Sequence, residues 1–456
     1  METKELVQKQ RDFFMTGKTK SLAFRKAALQ HLHEAIQENE EKLLEALQLD
    51  LGKAEQEAYM TELSLVYEEI KYVSSNLEKW ATPKKVRPSL AQLPATCQKR
   101  MEPYGVVLIM APWNYPFLLS IEPLIGALAA GNCAIIKPSN YAPATAAVIA
   151  EIVQKVFAKK YVAVVEGGRE QNTSLLEQKF DYIFFTGGAT VGKVVMQAAA
   201  KHLTPVSLEL GGKSPCIVDE TADLKMAAKR IVFGKLVNAG QTCVAPDYVL
   251  VEESVKEPLL WFMRHELTMA LGEDPLQSEE YPRIVNEKHF LRLVAMLEGE
   301  SCYVGGQFDK ETLKIAPTVL DKVTEQSACM QEEIFGPILP ILTYKTIEEA
   351  IAFVQKREKP LACYVFTTDK EVEEQVLGDV SFGGGCINDT ILHLASSNMG
   401  FGGVGESGMG SYHGEKSFMT FSHEKSIMKK IGSAEPSLRF HPYAKWKMLL
   451  LRKIFH

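Results

Sequence analysis

Cys243 lies in Asn238-Ala239-Gly240-Gln241-Thr242-Cys243-Val244-Ala245-Pro246, a small, polar segment just after an apolar helical stretch. A thiol at a glycine-bearing turn is accessible, and its thiolate is a strong nucleophile once its pKa of about 8.5 is lowered or a base assists. The alternative is a structural thiol, since free cysteine packs as a small hydrophobe. Glu209 closes the run Pro205-Val206-Ser207-Leu208 and precedes Leu210-Gly211-Gly212. That order aims a carboxylate at the carboxyl edge of a sheet, where open α/β sheets bind ligands; the alternative is a salt bridge at a joint between lobes. Asn114, in Ala111-Pro112-Trp113-Asn114-Tyr115-Pro116, follows another strand end. Its amide can donate to a developing oxyanion, or it can order a proline-bracketed loop as an Asx turn. Lys137 follows Ala134-Ile135-Ile136 and can bond ribose hydroxyls or stay solvated. Gly187, Gly188 and Gly192 follow an apolar strand and open an apolar helix, the place where backbone N–H groups and a positive helix end meet a phosphate. The GxGxxG spacing is absent and no well-placed acid follows about twenty positions on, so the usual dinucleotide fingerprint fails and a plain tight turn remains open.

Those residues need a scaffold that gathers strand ends. Residues 21–80 carry apolar side chains at helical spacing, for example Leu22, Leu29, Leu32 and Ile36, then Leu43, Leu44 and Leu47. Pro83, Pro88, Pro94 and Pro103 then break the period, which reads as a segment leaving the first lobe. From there strands and helices alternate: strands at 105–110, 133–136, 161–165, 182–185, 205–209 and 216–218, and helices at 116–130, 142–158 and 188–200. Such alternation means a parallel, doubly wound sheet. A second series follows residue 223, with strands at 248–251, 318–320, 338–343 and 362–367 and helices at 224–236, 258–271, 286–299, 347–355 and 370–377. The fold class is therefore α/β, with two doubly wound lobes joined near Gly211 and Gly212. Residues 381–414 are too glycine-rich for regular structure throughout, and a long ordered loop of that kind is more often functional than filler.

The chain has 456 residues, 51 Lys and Arg against 57 Asp and Glu, a formal charge of −6 and 46% hydrophobic residues, values that exclude disorder and a disulfide-dense mini-fold. Mild acidity without a basic run gives no reason to expect nucleic acid. Eight cysteines lie scattered without CxxC pairs or histidines at ligand spacing, so neither a metal site nor a disulfide framework is expected. A polar, charged opening and no apolar run of about 18 residues point to a cytoplasmic address.

The chain resembles the NAD(P)-dependent aldehyde dehydrogenases over nearly its whole length. The resemblance is carried by Pro112-Trp113-Asn114-Tyr115-Pro116, Lys137-Pro138-Ser139, Phe185-Thr186-Gly187, Leu208-Glu209-Leu210-Gly211-Gly212-Lys213, Gly240-Gln241-Thr242-Cys243 and Glu333-Ile334-Phe335-Gly336-Pro337, in family order. It looks most like the class-three branch, which handles medium- to long-chain and aromatic aldehydes, on Ala245-Pro246-Asp247-Tyr248, on Tyr412-His413-Gly414 with residues 418–423, and on the short N-terminus. The resemblance implies Cys243 as nucleophile, Glu209 as general base, and the Asn114 amide with the Cys243 backbone N–H as oxyanion hole. It implies a cofactor site of Lys137 on the adenosine ribose, Gly187, Gly188 and Gly192 at the pyrophosphate, Leu210 beside it, and Glu333 with Phe335 at the nicotinamide end. It also implies a cofactor-binding domain of residues 1–81 and 104–210, a catalytic domain of 211–410, and a bridging segment of 82–103 and 411–436 that serves a homodimer, with 437–456 left as a C-terminal tail.

Two departures from the family pattern bear on the cofactor. Gly188 stands where a serine is common, which removes one hydroxyl contact, and Asn140 stands where many NAD-preferring members carry glutamate. A glutamate there would repel a 2′-phosphate, whereas Lys137 would attract it, so NADP is expected to be accepted as well as NAD. In the tail, Trp446, Leu449, Leu450 and Ile454 share a helical face amid lysine and arginine, which suits either a peripheral membrane contact or packing on the protein. A coenzyme-A-acylating enzyme is disfavoured by Glu209, since a water-activating base serves hydrolysis, and a silent scaffold by Cys243, Glu209, Asn114 and Glu333 occurring together. Tyr115 and the loop at 393–401 are expected in the aldehyde tunnel; Tyr67 has no assigned place.

Overall fold

The computed structural model describes residues 2–433 and 437–455. The last three residues of the 411–436 segment and His456 of the tail lie outside the described residues. The first sheet orders its strands Gly408–Met409, Val206–Glu209, Tyr182–Thr186, Val106–Met110, Cys133–Lys137 and Val162–Val164, all parallel except the first. Val106–Met110, Cys133–Lys137 and Tyr182–Thr186 are buried along their whole length. A parallel sheet covered on both faces demands this, which is why these strands read as unbroken apolar runs. Each fully buried Val, Ile or Leu contributes roughly 1.5–3 kcal/mol of transfer free energy. The chain order leaves Val106–Met110 in one direction toward Cys133–Lys137 and returns on its other side with Tyr182–Thr186. The crevice between Val106–Met110 and Tyr182–Thr186 is therefore the switch point of the sheet, where the loops after both strands open.

The second sheet runs Ser301–Val304, Thr318–Asp321, Ile338–Tyr344, Tyr248–Glu252, Pro215–Val218, Ala362–Phe366 and Gly384–Ile387, parallel except for its first strand. The crossing from one sheet to the other occurs between Glu209 and Pro215, a span that includes Gly211 and Gly212. Gly408–Met409, inside the range expected for the second lobe, adds instead an antiparallel edge strand to the first sheet beside Leu208 and Glu209. A third, antiparallel sheet joins Lys84–Val86, Ala95–Pro103 and Ser422–Lys430, the last two paired over nine residues. The segment that breaks helical period is thus a strand ribbon.

Other elements escaped the pattern. Thr3–Met15 is a helix ahead of residue 21, docked by Leu6, Val7 and the buried Gln10, whose amide donates to the carbonyls of Ala134 (2.9 Å) and Lys159 (3.1 Å). Arg169–Leu176 is a polar helix that buries Leu175. Gly384–Ile387, within the glycine-rich stretch, is a strand, because a Cβ on Gly385 would stand 2.0 Å from the Cys363 carbonyl of the neighbouring strand. Glycine is there for close approach of two backbones.

Candidate active site

Three strand ends of the first sheet converge. The loop after Val106–Met110 brings Pro112, Trp113 and Asn114; the turn after Tyr182–Thr186 brings Gly187 and Gly188; Val206–Glu209 ends on Glu209 itself. With Leu210, Gly211, Cys243, His289, Arg292, Glu333 and Phe335 they line a cavity of about 340 Å³. A second cavity, of about 320 Å³, opens beside it and is lined mainly by apolar groups, among them Leu118, Leu119, Phe233, Val244, Ile391 and Phe401. Cys243 and Leu119 belong to both. The thiol therefore stands where a polar chamber meets an apolar one.

The Cys243 segment is held from below. Gly240 adopts φ +72°, and a Cβ there would lie 2.3 Å from the Gly336 carbonyl, so this turn requires glycine. Asn238 (φ 52°) and Ala239 (φ 50°) are also left-handed, a strained pair that buried hydrogen bonds maintain. Asn114 Nδ2 donates to the Gln241 carbonyl at 3.0 Å, and the Tyr115 and Thr242 hydroxyls share a 2.6 Å hydrogen bond. The Asn114 amide has a second N–H beyond that bond. Burial, then the charges of Glu333 and Glu209, push the Cys243 thiol up to about 12. Glu209 is 2% exposed and, among the described residues, neither carboxylate oxygen has a partner. Its pKa lies well above the usual carboxylate range, through burial alone. A buried carboxyl without partners is poised for something that enters from outside.

Glu333 shows how the second lobe reaches the same chamber. A Cβ on Gly211 would lie 2.1 Å from Glu333 Oε2, so the glycine makes room for the carboxylate, and burial, then Asp247, push Glu333 up to about 8. Asp247 Oδ1 accepts from the Ile334 N–H at 2.8 Å and its other oxygen pairs with Lys213, which donates to the carbonyls of Cys329 (2.8 Å) and Glu332 (2.9 Å). Lys213, just past the lobe joint, thereby fixes the turn that carries Glu333. Phe335 (φ 50°) meets Trp113 edge to face at 5.4 Å.

The remaining sequence candidates fall in different places. Gly188 has open space where a Cβ would be, at the start of helix Ala189–Ala200. Gly192 lies one turn deeper and packs under Leu210, its notional Cβ 2.8 Å from Leu210 Cδ2. Lys137 is buried, donates to the Pro138 carbonyl at 2.7 Å and is lowered to about 8 by burial, with Glu166 opposing; it is not among the lining residues. Tyr115, Ala395 and Phe401 line the apolar cavity, whereas Tyr67 donates to Glu40 at 2.7 Å and is not among its lining residues. The sequence reading missed Thr186, whose buried hydroxyl at the polar chamber has no partner among the described residues, and His289 and Arg292, an i, i+3 pair on Glu287–Ala295. It also missed Glu122 and His413, a buried pair at 3.3 Å in the apolar cavity. Thr186 sat inside a quoted motif; the others have no local signature.

The fit to a dinucleotide rests on this geometry: an open glycine cradle at a helix start, an unpartnered Thr186 hydroxyl, and a carboxylate and aromatic ring at the far wall. A switch-point crevice of this kind, leading to a cysteine and a buried acid, suits a dinucleotide-dependent oxidoreductase. The family model described as the aldehyde dehydrogenase family matches residues 1–427. The chain is 50% identical over 445 residues to the 4,4'-diaponeurosporen-aldehyde dehydrogenase of Staphylococcus aureus, covering 97% of each. It is 46% identical over 424 residues to the dimeric NADP-preferring aldehyde dehydrogenase of Canis lupus familiaris, covering 93% of this chain and 94% of the relative. A solved structure, the substrate-bound state of Staphylococcus aureus AldH, superposes with a TM-score of 0.97 at 49% identity over 99% of both chains. The chain belongs to the aldehyde dehydrogenase family, in its class-three branch. It oxidises aldehydes to carboxylic acids with NAD(P).

Proposed function

We propose that Cys243 is the nucleophile, Glu209 the general base, and the Asn114 amide with the Cys243 backbone N–H the oxyanion hole. The observation that carries this is the place of Cys243, shared by the polar and the apolar cavity. The thiolate adds to the aldehyde carbon, and the carbonyl oxygen takes up charge between the two donors, each typically worth about 3 kcal/mol. NAD(P)+, when bound, supplies the two-electron oxidant for that tetrahedral carbon. The thioester left on Cys243 is hydrolysed by a water that Glu209 deprotonates, a contribution commonly of about 10²- to 10⁴-fold. Gly187 and Gly188 would face the pyrophosphate, with Gly192 and Leu210 packed behind, and Glu333 and Phe335 would hold the nicotinamide end. Lys137 is assigned to the adenosine ribose by its position in the motif. The test is NADH and NADPH formation with aldehydes from acetaldehyde to long-chain and benzaldehyde, with Cys243→Ala alongside. Turnover that vanishes in the variant supports the reading; turnover that survives rejects it.

The apolar cavity suits medium- to long-chain or aromatic aldehydes. For the cofactor, Asn140 leaves an exposed position uncharged near Lys137, and the Canis relative is named NADP-preferring. Comparable efficiency with both cofactors is expected; an NADP efficiency a thousandfold lower, about 4 kcal/mol, would reject it. A homodimer fits the long strand Ser422–Lys430, a nine-residue sheet edge of the kind that pairs with another chain, and the same relative is named dimeric. A monomer in analytical ultracentrifugation would reject that. Among the described residues no helix is long and apolar enough to cross a membrane. The tail helix Lys445–Phe455 leaves Trp446, Leu449, Leu450 and Ile454 open to solvent beside its cations, an arrangement that suits peripheral membrane contact. Deleting residues 443–456 is expected to abolish binding to anionic liposomes; unchanged binding would reject the contact.

A further inference from the structure

Lys53 is a fully buried cation that none of the steps above uses. It stands in Gly52-Lys53-Ala54, between helices Glu40–Leu51 and Glu55–Ala58, where Gly52 (φ +71°) turns the chain inward. Its ammonium donates to Glu62 Oε1 at 2.6 Å and to the main-chain oxygen of Asn114 at 3.1 Å, and lies 4.0 Å from the centroid of the Tyr115 ring. Both side chains of the pair are 0% exposed. The other Glu62 oxygen accepts from the Phe117 and Leu118 N–H groups at 2.9 and 3.1 Å. One buried ion pair thus grips the chain at 114, 115, 117 and 118, the loop that carries the Asn114 amide into the site.

The opposite side of that loop is held by the Cys243 segment. Asn238 Nδ2 donates to the same Asn114 oxygen at 2.8 Å and to the Gln241 carbonyl at 3.2 Å, and the Asn238 N–H donates to Glu57 Oε1 at 2.8 Å. Two donors converging on one carbonyl oxygen fix the peptide plane that follows Asn114. Stability alone is a poor reason for such a pair, because desolvating two ions offsets most of their attraction and apolar replacements commonly serve as well. What the pair provides is placement, and an error of about 1 Å in a catalytic group can cost on the order of 10²-fold in rate.

We propose that Lys53, braced by Glu62 and Asn238, is the positioning residue for the oxyanion donor: it holds the Asn114 main-chain carbonyl so that the Asn114 amide stays aimed at the reacting carbonyl oxygen. The inference rests on the assignment of Asn114 to the oxyanion hole. Lys53 touches neither substrate nor cofactor and acts on kcat through Asn114.

The experiment compares wild type, Asn114→Ala, the pair variant Lys53→Met/Glu62→Gln, and the triple variant. Removing both charges together avoids an uncompensated buried ion and leaves an acceptor for the Phe117 and Leu118 N–H groups. The pair variant is expected to lose about 100-fold in kcat with KM values for aldehyde and cofactor within about twofold. Alkylation of Cys243 by iodoacetamide is expected to keep its wild-type rate. In the Asn114→Ala background the same pair change is expected to cost less than about threefold, because the donor it positions is gone. A loss that multiplies fully in that background, or alkylation and KM that move with kcat, would overturn the proposal as a general structural effect. A crippled Asn114→Ala enzyme beside a pair variant of wild-type kcat would overturn it alone. An Asn114→Ala enzyme of wild-type kcat would remove the oxyanion assignment and the proposal with it.

Discussion

The two cavities that meet at Cys243 are built by opposite means. The polar chamber is made from the ends of strands: Thr186 and Glu209 close parallel strands of one sheet, Asn114 and the Gly187 turn follow such strands, and the second lobe adds Glu333 on a turn clamped by Asp247 and Lys213. Its walls are single functional atoms set by backbone geometry. The apolar cavity is made from faces: Leu118, Leu119 and Glu122 on one helix, Met60, Thr61, Ser64, Leu65 and Glu68 around another, and the 391–413 loop. Its walls are surfaces, and many side chains share each contact. In the chamber one atom carries each task, so substitutions should act sharply; in the tunnel they should act in proportion to the area removed.

The largest break in that contrast is expected from Glu209→Gln, which removes the carboxylate proposed to activate water, at constant shape. Steady-state turnover should fall about 10²- to 10⁴-fold while the first turnover persists as a burst of NAD(P)H. A proportional fall in the burst would assign Glu209 to the first half-reaction. Gly211→Ala is next: its methyl would occupy the space of the Glu333 carboxylate, 2.1 Å away, and cofactor kcat/KM should drop roughly 10- to 100-fold. An unchanged value would mean that Glu333 is free to move without consequence.

Charge sharpens the same comparison. Burial and two neighbouring carboxylates raise the Cys243 thiol to about 12, so below that value its thiolate fraction, and its alkylation rate in the free enzyme, should climb about tenfold per pH unit. Glu333→Gln removes one of those carboxylates and should speed alkylation at a fixed pH above about 8, where Glu333 is ionised; a plateau near neutral pH in the wild type would contradict this reading of the site. The smallest effect is expected in the tunnel. Ile391→Val removes one methylene, about 0.8 kcal/mol or fourfold in kcat/KM, for aldehydes long enough to reach it and not for acetaldehyde. A loss common to all chain lengths would place Ile391 in the chemistry.

The same division explains what could be read from the chain. Val106–Met110, Cys133–Lys137 and Tyr182–Thr186 announce themselves because a two-sided parallel sheet needs unbroken apolar runs, and residues at their carboxyl ends inherit a predictable place. Asn114 and Gly188 were legible for that reason, and Glu209 because it closes the next strand, Val206–Glu209; Cys243 was legible instead from the glycine-bearing turn after an apolar helical stretch. Gly192 and Lys137 lie in the right elements, yet the Gly192 backbone sits one turn deeper, beneath the Leu210 side chain, and the Lys137 side chain turns onto the Pro138 carbonyl. Helix Leu118–Ala130 is buried at every position, so its apolar run hides the fact that Glu122 turns into the tunnel beside His413. The Gly384–Ile387 strand was masked by glycines that serve close backbone approach and otherwise signal loops. Lys53 and Glu62 sit 61 and 55 positions before the residues they hold, Asn114 and Phe117; no local pattern encodes a contact that only the folded chain makes.

The most direct test of Cys243 as the meeting point of the two cavities is intact-protein and peptide mass spectrometry of Glu209→Gln, quenched after one turnover with a long-chain aldehyde and NAD+. An acyl group of the substrate's mass should be found on the peptide that holds Cys243, and on none of the peptides that hold the other seven cysteines. Oxidation of the aldehyde with no acyl adduct, or an adduct on another residue, would contradict the account.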